Sequence, residues 1–329
     1  MTRLALALAL ALSHVGPVLA QLPPPGPPLN RSSIAFTIPE KDLLPENVAY
    51  DPDTGAFYVG STRKGKIVRV DRDGSVRDFV PPRAGGLWMV IGMKVDAERR
   101  LLWVASSANG NLVDKGPSDP QSAGLFAFDL DSGRLVERHL LEGPGETHML
   151  NDLVLGPRGD VYVTHMLEEA AVYLLGQGSD RLERLVALDG LRGPNGIALS
   201  EDGRTLYVAH RTGIAAIDLA SRRVRPVTAG GGANLLGIDG LYYHDHALVA
   251  IHPARQLVVR YPLDGSGLQV SGFETIESSH PMFRVPTTGV VVGDTLFYIA
   301  NAQFESFDEQ GNLWPLDRLY EVVVLRVPL

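Results

Sequence analysis

The sequence predicts an all-β fold, a six-bladed β-propeller, on three observations. A strand–turn–strand phrase occurs six times, at a spacing of roughly 40 to 50 residues. Each copy is punctuated by Gly, Asp and Pro turns. One strand too many at the amino end matches one strand too few at the carboxyl end. Repeats of this length built from short strands are the mark of a propeller with one blade per copy.

The copies open Glu46-Asn-Val-Ala-Tyr-Asp, Ile91-Gly-Met-Lys-Val-Asp, Asn151-Asp-Leu-Val-Leu-Gly, Asn195-Gly-Ile-Ala-Leu-Ser, Asp239-Gly-Leu-Tyr-Tyr-His and Thr288-Gly-Val-Val-Val-Gly. Each is answered after a turn by a second apolar strand, ending in turn at Ser61, Ser106, His165, His210, His252 and Asn301. A third strand follows, as in Lys66–Val70, Gly124–Phe128, Ala171–Leu175, Gly213–Ile217 and Leu257–Tyr261, and then a weaker fourth. The last copy stops after its third strand, Glu321–Val327, while Ser33–Ile38 precedes the first copy unassigned. Ser33–Ile38 is therefore expected as the outer strand of the last blade, closing the ring and removing an exposed edge.

Residues 1–20 read as an export leader: Arg3, a Leu/Ala run from Leu4 to Leu12, then small residues before Ala20. The run is too short to span a bilayer. Residues 21–31, rich in Pro, are expected as a tether, and 32–329 as one propeller domain. The mature protein is expected outside the cytoplasm, periplasmic or secreted, with no membrane attachment. It has no cysteine, so it gains nothing there from disulfides. With 45% hydrophobic residues in a 329-residue chain the core can be large. A net charge of −8 without a basic run argues against nucleic acid.

In a propeller the first strand of each blade lines the central channel, so Glu46, Ile91, Asn151, Asn195, Asp239 and Thr288 should ring one mouth. The second strand runs antiparallel, which returns Ser61, Ser106, His165, His210, His252 and Asn301 to the same mouth one strand further out. Four inner residues carry side-chain oxygen. Two carboxylates confined together repel unless a cation lies between them. Calcium, which takes six to eight oxygen ligands, suits Glu46, Asn151, Asn195 and Asp239 better than magnesium or zinc.

These residues resemble the SMP-30/gluconolactonase group of six-bladed propellers, with paraoxonase, diisopropylfluorophosphatase and strictosidine synthase as more distant relatives. The resemblance rests on Pro45-Glu46, Leu150-Asn151-Asp152, Gly193-Pro-Asn195-Gly196 and Ile238-Asp239-Gly240 and covers nearly all of the mature chain. It implies that Glu46, Asn151, Asn195 and Asp239 hold a calcium ion, with a second, structural ion near Asp152, and that the ion serves hydrolysis of lactones, esters or phosphoesters. The chain departs from that pattern at Ile91, where sugar lactonases commonly have Asn and paraoxonases a catalytic His, and at Thr288, where relatives often have a functional His.

The outer ring offers acid–base groups instead. His165, His210 and His252 end equivalent strands on successive blades, and His148 lies on the loop leading to Asn151. With Asp239 these are the candidate catalytic residues; Ile91, Thr288, Asn301 and Ser106 are expected to line the substrate pocket. The three outer histidines sit on diverging blades, which disfavours a tri-histidine metal centre. Trp88, Phe283 and Phe304 either wall the pocket or pack blade on blade. The expected function is calcium-dependent hydrolysis of a small lactone or ester. Calcium-dependent ligand binding without turnover and strictosidine-synthase-like lyase or synthase chemistry are the alternatives.

Overall fold

A computed structural model of the protein describes residues 26–108, 112–113, 122–141, 147–167 and 169–329. The expected leader, residues 1–20, lies outside the described residues. Among the described residues, six four-stranded antiparallel sheets form the blades, and a short parallel pair, Thr228–Ala229 with Gln269–Val270, joins blades 4 and 5. Blade 1 is Pro45–Asp51, Ala56–Ser61, Ile67–Val70 and Val76–Val80; blade 3 is Leu150–Leu155, Val161–His165, Ala171–Leu175 and Leu182–Ala187. Blades 2, 4 and 5 begin with the inner strands Met89–Asp96, Ile197–Leu199 and Leu241–His244. Among the described residues helices are confined to three short 3₁₀ turns, and none is long and apolar enough to cross a membrane.

Blade 6 is composite. Gly289–Val292, Thr295–Ile299 and Val322–Pro328 come from the carboxyl end, and its outermost strand is Ser33–Ile38, antiparallel to Val322–Pro328. The two ends of the chain thus share one sheet, and the carboxyl-terminal strand is covered on its outer side.

The strands alternate in the direction of their side chains, so each blade buries both faces against its neighbours. The apolar core is accordingly divided into six wedges, one between each pair of adjacent blades. Tyr58 and Ile67 meet Val104 and Phe126 between blades 1 and 2, and Val59 and Val68 meet Ile299 and Val324 between blades 1 and 6. Burial of such β-branched and aromatic residues is worth roughly 1.5–3 kcal/mol per side chain, and the wedge between blades 1 and 2 is the largest.

The amino-terminal approach differs from the expected tether. Residues 26–31 lie along blade 5: Leu29 N–H donates to Ser278 O at 3.1 Å, and the Ser278 and Ser279 hydroxyls donate to Pro27 O and Gly26 O. The fully buried Glu277 accepts from the N–H groups of Asn30 at 3.0 Å, Ser32 at 2.7 Å and Ser278 at 2.8 Å. A carboxylate satisfied by three N–H groups outweighs the Pro-rich composition, which fixes φ but does not prevent docking.

Candidate functional site

Every inner strand opens with a β-bulge, in which two of its residues face one residue of the second strand. In blade 1, Glu46 and Asn47 fall between the pairs Pro45↔Ser61 and Val48↔Val59. In blades 2 and 3 the bulged residues are Ile91–Gly92 and Asn151–Asp152. In blade 4, Asn195 N–H donates to Ala209 O and Ala209 N–H to Gly196 O. Asp239–Gly240 face Ile251 in the same way in blade 5, and Thr287–Thr288 face Ile299 in blade 6.

This corrects the sixth repeat by one residue. The second bulge residue reaches the first bulge residue of the next blade: Gly196 N–H donates to Asp239 O at 2.9 Å, and Thr288 N–H to Glu46 O at 3.2 Å. Thr288 is therefore the counterpart of Gly196, and Thr287 completes the inner ring. The outer position follows. Gly289 pairs with Tyr298, so the residue equivalent to His252 is Ala300, not Asn301. Glycine at the second position lets the blades approach; a Cβ on Gly92 would meet Asn151 O at 2.5 Å.

The inner ring brings the expected donors together. Glu46 and Asn151 are buried, while Asn195 and Asp239 are half-buried. Glu46 Oε2, Asn151 Oδ1 and Asn195 Oδ1 are each buried without a hydrogen-bond partner. Burial, then the nearby Asp239 and Asp152 carboxylates, hold the Glu46 pKa well above the carboxylate range. Burial likewise pushes Asp239 up to about 7, opposed by a hydrogen bond from the Asn195 amide and reinforced by Asp152. Unpaired acceptors in a native interior demand an explanation. Here three of them, one from the Glu46 carboxylate, beside the Asp239 carboxylate, fit a hard cation. Among the described residues no three His, Asp or Glu side chains stand as a metal-holding group; the set is two carboxylates and two amides, a pattern oxygen-seeking ions accept and zinc does not.

Asp152, where a second ion is expected, already has a protein cation. Lys94 Nζ, from the inner strand of blade 2, lies 3.7 Å from Asp152 Oδ1. Leu153 N–H donates to the same carboxylate at 2.9 Å. Sequence reading passed over Lys94 because a lysine in a strand reads as a solvated residue; only the folded ring brings it to Asp152 of the next blade.

The histidines separate. His252 is fully buried, its nitrogens engaged by Leu236 O at 3.0 Å and the Tyr261 hydroxyl at 2.9 Å, and burial pushes its pKa down to about 3. It anchors a loop and exchanges no proton near neutrality. His165 is pushed to about 4, by burial and then by His148. Its Nδ1 must donate to Glu169 O, 3.1 Å away, so Nε2 accepts from Met149 N–H at 3.4 Å and from His148 Nδ1 at 3.2 Å. His148 Nδ1–H is therefore the donor in that contact. His210 Nδ1 accepts from Thr212 N–H at 3.4 Å, and burial lowers its pKa.

The expected pocket residues divide too. Ser106 Oγ accepts from Trp88 N–H at 3.0 Å, and Asn301 donates to Glu321 O and accepts from Val323 N–H, both at 2.7 Å. Both are buried braces for the loops. Thr288 Oγ1 donates to Glu46 O and accepts from Asn47 Nδ2 at 2.8 Å, which spends it on the blade 6–blade 1 seam. Ile91 is on the ring and 1% exposed, inside an apolar cluster.

Residues 44–271 match the sequence profile of the SMP-30/Gluconolactonase/LRE-like region. No curated protein matches the chain. Among solved structures the fold is similar to a gluconolactonase from Xanthomonas campestris, with a TM-score of 0.61 and 17% identity over 94% of this chain and 99% of that one. It is similar also to the calcium-binding protein regucalcin from Agrobacterium tumefaciens, TM-score 0.61, 17% identity, over 89% and 93% of the two chains. The Malassezia sympodialis allergen Mala s 1 aligns at TM-score 0.65 and 16% identity over 90% and 96%.

Proposed function

The chain belongs to the SMP-30/gluconolactonase/LRE-like family, and from that premise we propose that it is a calcium-dependent hydrolase of a lactone or related small ester. The observation that carries this reading is the set of orphaned buried acceptors, Glu46 Oε2, Asn151 Oδ1 and Asn195 Oδ1, beside the Asp239 carboxylate. These four side chains would hold the ion, and the exposure of Asn195 and Asp239 leaves the side from which substrate enters. When bound, a hard divalent cation polarises the substrate carbonyl and stabilises the charge that develops on its oxygen.

The chain's own residues supply the proton chemistry. In this reading His148 takes the proton from the attacking water, and His165, held by Glu169 O, orients the His148 ring through their 3.2 Å contact. Asp239 is the other candidate base. A ligand carboxylate beside a cation loses its basicity, so His148 carries the role in this reading. His252, Ser106, Asn301 and Thr288 serve the scaffold.

The resemblance to a calcium-binding regucalcin supports the choice of ion. An export leader over residues 1–20 fits it as well, because calcium is plentiful outside the cytoplasm and weak oxygen sites suffice there. Turnover of a panel of lactones, aryl esters and phosphotriesters, before and after chelation, tests the reading. Lactone hydrolysis that chelation abolishes and calcium restores supports it. Calcium-dependent ligand binding with no turnover across the panel would instead make the protein a binding module.

A further inference from the structure

One sector of the mouth is apolar. Ile91 takes the ring position between Glu46 and Asn151, opposite Asp239. Met149, Trp88 and Ile91 belong to a single buried cluster, and Met166, Leu167 and Phe304 pack against it while staying partly exposed. These residues come from four places: the entry to blade 2, the entry to blade 3, the turn after His165, and the long loop of blade 6 that begins after Ile299. The apolar sector reaches the donor set itself, since the Asn151 amide donates to Met166 Sδ at 3.3 Å. That bond leaves Asn151 Oδ1 without a hydrogen-bond partner among the described residues.

A sugar lactone carries hydroxyl groups around its ring, and each hydroxyl buried against methionine, leucine and phenylalanine would lose its water without a partner. An alkyl or aryl substituent gains there, because partly exposed Met and Phe surfaces are covered. Resting on the hydrolase reading above, we propose that Met166, Leu167 and Phe304, backed by the buried Ile91, form a specificity wall, and that the site takes lactones or esters bearing an alkyl or aryl arm in preference to polyhydroxylated ones. The arm would lie along the wall while the carbonyl faces the cation that Glu46, Asn151, Asn195 and Asp239 would hold.

The probe is a series of unreactive γ-lactams with side chains of increasing length, titrated calorimetrically into the calcium-loaded full chain, alongside a polyhydroxylated lactam. The expected result is binding that tightens about fourfold per added methylene over the first few carbons, with the polyol lactam weakest. Phe304→Ser and Met166→Gln, at half-buried positions, should flatten the series, and a native thermal transition in each variant shows that the loss is local. Affinity independent of chain length, or tightest for the polyol, would overturn the wall. Kinetics on the matching lactones separate this from the parent reading: chain-length-dependent binding with no turnover keeps the wall and removes the hydrolase, whereas turnover with a flat binding series does the reverse.

Discussion

Lys94 Nζ stands 3.7 Å from Asp152 Oδ1, linking the inner strands of blades 2 and 3 through a charged contact. Lys94 Nζ is buried and makes no hydrogen bond, so its charge is balanced by the carboxylate alone. The ammonium occupies the role a second metal ion would take. Lys94→Met should therefore destabilise the protein by about 1–3 kcal/mol, since it leaves a buried carboxylate without its cation. The variant should also regain more stability from calcium than the wild type does. Urea denaturation with and without calcium checks both; an unchanged midpoint for Lys94→Met would show that the pair is idle.

The 3.2 Å contact between His148 Nδ1 and His165 Nε2 separates the histidines by role. His148→Ala should lower kcat by about 10²- to 10⁴-fold, the usual worth of a positioned base, with calcium affinity kept. His165→Ala should cost less, because it frees the His148 ring without removing it. His252→Ala should cost stability and leave kcat per folded molecule nearly intact. Rates measured with chelator-treated and calcium-loaded variants check the order; equal rates for His148→Ala and wild type would return the base to Asp239.

Two sets of buried groups set the pH dependence of stability with opposite signs. Asp239, at about 7, and Glu46 are raised, so the native state holds protons that the unfolded chain releases, and stability falls as pH rises through that window. His165 and His252, at about 4 and 3, are depressed; the stability of keeping them neutral is present above their ordinary value near 6.5 and is lost as pH falls below it. Each group contributes a slope of up to about 1.4 kcal/mol per pH unit. In chelator the two trends oppose one another between pH 4.5 and 6.5. Calcium neutralises the carboxylates, so only the rise due to histidine should remain. Urea midpoints at several pH values check this; parallel profiles with and without calcium would contradict it.

Glu277 is the buried latch for the amino-terminal strap. Its three N–H contacts make Glu277→Ala costly, about 2–4 kcal/mol, because Asn30 and Ser32 lose a charged acceptor. Glu277→Gln should cost less. Thermal melts of both variants check the expectation, and early proteolysis ahead of Ser33 should accompany the loss.

Much of this architecture is legible in the sequence because blade strands alternate buried side chains and stop at Gly and Asp turns, signals that local chemistry writes directly. Ser33–Ile38 stands out for the same reason. The sixth repeat is misread by one residue because Thr287 and Thr288 are alike and either is a plausible opening residue; the pairing of both with Ile299 and the hydrogen bond from Thr288 to Glu46 O fix the frame. The donor ring is legible since oxygen-bearing residues recur at one repeat position. The His148–His165 pair and the Lys94–Asp152 pair are not, because each depends on distance between segments that no periodicity connects.

The central claim is that Glu46, Asn151, Asn195 and Asp239 hold one hard divalent cation, and calorimetric titration of calcium into the chelator-stripped protein near pH 6.5 tests it most directly. The account predicts one ion per chain, bound with release of protons from Asp239 and Glu46, and binding lost in Asp239→Asn and Glu46→Gln variants that still fold. No calcium binding by the wild type, or undiminished binding by both variants, would contradict it.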